Sequence, residues 1–171
     1  MSQLTIGVIE LVNSGKLNEK DIVSAVLQIA QVVEKRMDGT SGALYSIWLN
    51  ALAGGLIRSA KEESTSSATY STWSKSLSYA LTTLFDYTAA RRPSRTLVDP
   101  LQTFTETYSS NGQDFAQAVK AAVQAAEATK DLVVKAGRAA YVGREQLQAA
   151  QVPDPGAWGV AELLQGFLST L

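Results

Sequence analysis

Among the residues of this chain that could do chemistry, Met37-Asp38-Gly39-Thr40-Ser41-Gly42 form the most suggestive group. They close one helical segment and open another, the strongly apolar run from Ala43 to Leu56. Two glycines flanking two hydroxyls at a helix start suit a phosphate. The first turn has N–H groups without intrahelical partners, the dipole favours an anion, and glycine lets that anion approach the backbone. Asp38 opposes this, because a carboxylate at the mouth repels the same anion unless a metal lies between them. An aspartate there suits a base or a cation binder instead. The plain alternative is an ordinary helix start with Thr40 or Ser41 as N-cap.

The sequence contains no histidine and no cysteine. Disulfides, thiolate nucleophiles, zinc sites with the usual ligands and Ser-His-Asp triads are therefore excluded. Acid–base work near neutral pH falls to carboxylates, lysines and tyrosines, with Asp38 and Tyr45 as candidates. A metal would be a hard ion held by oxygen. Asp99 before Pro100 reads as an N-cap with proline in the first turn. Arg91, Arg92 and Arg95 gather around a turn, as a solvated charge cluster or an anion site. Arg138 and Arg144 flank Tyr141, as an anion site or a frayed helix end.

Helical periodicity must position these groups. Leu4–Val12 is a short apolar helix stopped by Ser14-Gly15. Asn18 reads as the cap of a second, with Ile22, Val26, Ala30 and Val33 on one face and Lys35 and Arg36 at its end. Ala43–Ile57 is apolar nearly all round, as a buried central helix would be. Ser67–Ala89, Val98–Tyr108, Phe115–Val134 and Trp158–Leu168 follow, the sixth rich in alanine that permits close helix approach. Tyr45, Trp48 and Trp73 fall on apolar faces and read as core. No alternating strand and no repeat is present. The expected fold is all-α, one domain over residues 1–171, a bundle of six or seven helices with short connections.

Composition agrees with a globular domain: 171 residues, 46% hydrophobic, 18% charged, net charge −1. No basic stripe suits nucleic acid or an anionic membrane, and no apolar run is long enough for a membrane span. The N-terminus lacks the pattern of a signal peptide. A soluble cytoplasmic protein is expected.

Four separated segments resemble one family, in order and in approximate spacing. Met37–Tyr45 resembles the Gly-Gly-Thr-Ser-Gly helix start of the ADP-binding domain of dihydroxyacetone kinases (the DhaL type). Arg95-Thr96-Leu97-Val98-Asp99-Pro100-Leu101 is similar to its Gly-Asp-Lys/Arg-Thr-Met-Val-Asp-Ala-Leu segment. Gly137-Arg138-Ala139-Ala140-Tyr141-Val142-Gly143 resembles Gly-Arg-Ala-Ser-Tyr-Leu-Gly. Asp154-Pro155-Gly156-Ala157 matches the Asp-Pro-Gly-Ala loop before the last helix. The nearest flavour is the C-terminal domain of the fused, ATP-dependent eukaryotic enzymes.

The resemblance implies a barrel of antiparallel amphipathic helices carrying nucleotide at one end. It implies that Gly39, Thr40, Ser41 and Gly42 cradle phosphates, that Arg138 lies near them, and that Asp154, Pro155 and Gly156 border the nucleoside. The departures from the family are specific. Asp38 replaces a glycine, Ser94 an aspartate and Ala140 a serine. The family's Gly-Asp-Gly-Asp-Cys/Thr-Gly loop, whose aspartates hold two magnesium ions, and its first helix fall upstream of this chain's start, and no Asp-x-Asp occurs in it. Phosphoryl transfer rests on such metal ions and cationic groups.

The expectation is a degenerate nucleotide- or phosphate-binding domain, with weak ADP or ATP affinity, its magnesium site lost and no independent kinase activity. A second reading is an ATP-independent enzyme on a small organic molecule, using Asp38, Tyr45, Arg138 and Asp154. A third is an interaction module, a homodimer or a subunit docking on a companion chain.

Overall fold

The computed structural model describes residues 3–18, 20–64, 68–110, 114–137, 141 and 151–170. Among them every regular element is helical, as the periodicity predicts: α1 (Gln3–Asn13), α2 (Ile22–Arg36), α3 (Gly39–Glu62), α4 (Tyr70–Tyr87), α5 (Val98–Ser110), α6 (Phe115–Ala128) and α7 (Pro155–Leu168). Two compact units divide the chain, Met1–Leu84 and Phe85–Leu171. Helix α4 begins in the first and ends in the second.

In the first unit α1 packs on α2 and α2 on α3. The start of α2 is capped by Asp21, whose carboxylate accepts from the N–H groups of Val23 and Ser24. Asn18 is not the cap; its N–H donates to Gln28 Oε1 at 3.0 Å, so its place is set by a residue further along the chain. Helices α3 and α4 run antiparallel. Gly55 faces the backbone of Ser76, Arg58 lies over the Tyr79 ring, and Glu63 accepts from Ser71 and Lys75 at the turn. The expected burial of α3 along its whole length is not found. Ala51, Leu52, Ala53, Gly55, Leu56 and Ser59 are buried, whereas Leu44 to Leu49, including Tyr45 and Trp48, are half-buried, as is Trp73 in α4.

In the second unit α5 packs on α6, and α7 on both. Phe104, Tyr108 and Phe115 stack edge and face between α5 and α6. Ala118, Ala122 and Ala126 are fully buried, and Ala126 meets Ala157 and Ala161 of α7. Small side chains on both helices allow that approach, as the alanine run predicts. Helix α6 stops at Ala128, short of the expected Val134, and tightens into one 3-10 turn, Thr129–Asp131. The Thr129 hydroxyl donates to Ala126 O and accepts from Asp154 N, so the stop is fixed by a tertiary contact. Asp99 does not take the N-cap position. It lies inside α5, 1% exposed, and reaches back to the N–H groups of Ser94 and Thr96 while Thr96 Oγ1 accepts from Val98 N. Thr96-x-x-Asp99 is a capping box with threonine as the cap.

Candidate ligand sites at two helix starts

The first candidate is the start of α3. Asp38, not Thr40 or Ser41, holds the N-cap position, with φ −89° and ψ 166°. Its side chain makes no cap hydrogen bond and is exposed. Gly39 follows at φ +74°, a left-handed conformation costly for any side chain. A Cβ on Gly42 would lie 2.2 Å from Met37 O. Both glycines are thus required by the chain's own turn, so their presence alone does not call for a ligand. The turn still brings the candidates together: exposed Gly39 and Thr40 and half-buried Ser41 sit beside a carboxylate that leaves the first-turn N–H groups uncapped. In water at about 4 Å, a unit negative charge on a ligand would be repelled by Asp38 by about 1 kcal/mol, comparable to the attraction of the helix terminus. Tyr45 is further along α3 and half-buried.

The second candidate is the start of α7. Asp154-Pro155-Gly156-Ala157 is the cap and first turn of that helix, not a loop ahead of it, so α7 begins three residues before the expected Trp158. Asp154 accepts from Ala157 N at 2.9 Å, and Pro155 takes the first helical position. A Cβ on Gly156 would lie 3.3 Å from Leu97 Cβ and 3.1 Å from Asp154 Oδ1, so glycine there serves close packing on α5's approach segment. Asp154 is half-buried, and burial pushes its carboxyl above the ordinary value. The Ala157 N–H, the Arg95 charge and the Gly156 N–H pull it back down, and Asp99 adds to the rise.

Arg95 is the residue that sequence reasoning misplaced. The expected solvated arginine cluster does not exist. Arg95 is 2% exposed and donates to Thr129 O and to Val152 O, with Nε lacking any partner. Its backbone stands at φ +60°, uncommon for a side-chain-bearing residue. Arg91 lies over the Phe85 ring at 3.7 Å and donates to Phe85, Thr88 and Ala90 carbonyls, closing the end of α4. Arg92 pairs with Glu106. The three arginines are each held by different partners, and spacing in the sequence carries no sign of those partners. Arg138, Ala140 and Arg144 lie outside the described residues; Tyr141 is 92% exposed. Among the described residues no three acidic side chains converge as a metal site would need, and no helix is long and apolar enough to cross a membrane.

Comparison with known sequences decides the family: the family model of the DAK2 domain matches residues 1–169. The chain belongs to the DAK2 domain family. Its relatives include the dihydroxyacetone kinase of Komagataella pastoris, 42% identical over 163 residues that cover 93% of this chain and 27% of that one. Dihydroxyacetone kinase 1 of Saccharomyces cerevisiae is 42% identical over 159 residues, 93% of this chain and 26% of that protein. The human triokinase/FMN cyclase is 33% identical over 151 residues, 84% and 24% of the two chains. This DAK2 chain therefore spans about a quarter of the length of these relatives. Its fold is that of the dihydroxyacetone kinase of C. freundii, with a TM-score of 0.73 at 22% identity over 99% of this chain and 28% of that one.

Proposed function

We propose that this DAK2 domain binds a nucleotide or phosphate weakly and does not by itself transfer a phosphoryl group. The observation that carries this reading is the start of α3, where Thr40, Ser41 and uncapped N–H groups sit beside the uncommitted carboxylate of Asp38. That arrangement keeps the donors of an anion cradle and adds a charge that opposes the anion. Transfer chemistry depends on metal ions bridging the phosphates. Their usual support is clustered carboxylates, whereas the described residues offer at most the lone Asp38 near this turn. The names of the relatives, dihydroxyacetone kinase and triokinase/FMN cyclase, support a small-molecule or nucleotide ligand.

Ligand stabilisation measures occupancy. Near a millimolar dissociation constant, millimolar Mg-ADP adds about 0.4 kcal/mol and raises Tm by only ~1 °C. A shift of many degrees that EDTA abolishes would overturn the reading, because it requires an intact metal site. The same reading expects Asp38→Gly to tighten phosphate or ADP binding roughly fivefold, the removal of ~1 kcal/mol of repulsion. Isothermal calorimetry showing unchanged or weaker binding in that variant would refute the role given to Asp38.

One observation favours a second reading, acid–base chemistry on a small organic molecule without ATP. Asp154 is a half-buried carboxyl held toward its protonated form by burial, the condition a general acid needs. Turnover lost in Asp154→Asn without added nucleotide is the result that would select it.

A further inference from the structure

Arg95 presents three features that its neighbours do not explain. It is a cation shut away from water, and no carboxylate among the described residues forms an ion pair with it. Its Nε is buried without an acceptor. Its backbone is held at φ +60°. Burying an unpaired charge, orphaning a donor and straining the backbone all cost stability, and such costs gather where a conformation is imposed for use.

What Arg95 holds is specific. One end of its guanidinium donates to Val152 O, two residues before Asp154, at 3.1 Å. The other donates to Thr129 O. Thr129 in turn accepts the Asp154 N–H on its hydroxyl, at 2.8 Å, and is fully buried. The approach to α7 is thus gripped twice, once by Arg95 directly and once through Thr129. Gly156 rests on Leu97, two residues after Arg95. The guanidinium's hydrogen bonds are thus shared between the segment entering α7 and the Thr129 turn that holds Asp154 N.

We propose that Arg95 is a positioning residue for the α7 ligand turn, fixing where Asp154, Pro155 and Gly156 present themselves to a bound nucleotide. The inference rests on the proposed nucleotide binding and on the place at the nucleoside that the family resemblance implies for that turn. A planar guanidinium spans two carbonyls in fixed geometry, which the single ammonium of lysine does not reproduce. Arg95 and Asp99 are the charged groups acting on the Asp154 carboxyl, so Arg95 also influences its ionisation.

The test uses the full chain with Arg95→Lys, Arg95→Met, Thr129→Val and Asp154→Asn, ADP with magnesium as the probe, and three readouts. Calorimetry should show Arg95→Lys and Thr129→Val each weakening ADP by roughly tenfold, the loss of about one hydrogen bond to a charged group. In the Asp154→Asn background the loss from Arg95→Lys should shrink, because contacts acting through one turn are not additive. Carbon NMR of the Asp154 carboxyl should show its midpoint rising in Arg95→Met and returning close to the wild-type value in Arg95→Lys. Emission from Trp158, in the first turns of α7, should shift in both when read in a background with Trp48→Phe and Trp73→Phe. Folded variants that only lower Tm, with ADP affinity, the Asp154 midpoint and Trp158 emission unmoved, would overturn the proposal. If Arg95→Met fails to fold, Arg95→Lys and Thr129→Val decide by ADP affinity and Trp158 emission. A wild-type chain that gives no ADP binding counts against the nucleotide reading, while the Asp154 midpoint and Trp158 emission still decide whether Arg95 sets the turn.

Discussion

Asp154 serves two demands that conflict. As the cap of α7 it accepts the Ala157 N–H, which favours the ionised form, yet burial raises its carboxyl above the ordinary carboxylate value and outweighs that pull. The sign for stability follows. A carboxyl raised on folding contributes stability that is fully present below its unfolded value of about 4 and is lost as pH rises through the folded midpoint. Glu63 has the opposite sign. Its hydrogen bond from Lys75 holds it below the ordinary value, so its contribution is present above about 4.5 and lost in acid. Total stability mixes the two, but the difference between wild type and Asp154→Asn isolates Asp154, since asparagine caps a helix about as well. We expect wild type to lose ground against Asp154→Asn as pH rises from about 4, with the difference levelling above the folded midpoint. Urea unfolding of both proteins at stepped pH measures this. A difference that grows in favour of wild type on raising the pH would refute the assignment.

At the scale of elements, the α3–α4 pair separates two glycines that look alike in sequence. A Cβ on Gly55 would meet the Cα and O of Ser76 at 2.8 and 3.0 Å, backbone atoms that cannot swing aside. On Gly54 it would meet only the Tyr79 ring edge at 3.9 Å. Gly55→Ala should therefore cost about 1–3 kcal/mol as the helices are forced apart, whereas Gly54→Ala should gain up to ~1 kcal/mol from helix propensity. Thermal melts of the two variants check this pair, and equal shifts would show that α4 does not press on α3 at Ser76. The same pair shows what sequence can and cannot tell. Helices α1 to α7 are legible because apolar spacing is local, and Lys35-Arg36 mark the end of α2 by chemistry within a turn. Gly55 is indistinguishable from Gly54 because its partner is twenty-one residues away. The caps at Asp21, Asp38 and Thr96 are not singled out by sequence, because several eligible side chains lie in each stretch. In the candidate sites, Asp38 to Gly42 is visible as a helix start, whereas Asp154 to Gly156 reads as a loop because proline and glycine signal a turn as readily as a first helical turn. The grip of Arg95 is not visible, since backbone carbonyls at Thr129 and Val152 carry no side-chain signature.

For the whole molecule, the open question is what meets its exposed apolar side chains. On α7, Leu163 and Phe167 lie one turn apart and are 46% and 61% exposed, while Ala157, Val160 and Ala161 of the same helix are buried against the second unit's core. Scattered surface leucines are ordinary, but neighbouring large apolar groups on one helix favour association. The chain spans about a quarter of its relatives' length, and both a second copy and a companion chain are chemically suitable covers for this stretch. A second copy as the cover would show itself as concentration-dependent self-association. Removing two such side chains from water contributes roughly 1.5–3 kcal/mol each when burial is complete, enough to move a dimer constant by several tenfold steps. Phe167→Glu should therefore shift the equilibrium to monomer with Tm nearly unchanged, because the position is exposed within the single chain. Light scattering and sedimentation across a hundredfold concentration range measure both proteins. A wild-type chain that stays monomeric at the top of that range would reject self-association and leave the companion chain as the candidate cover for α7.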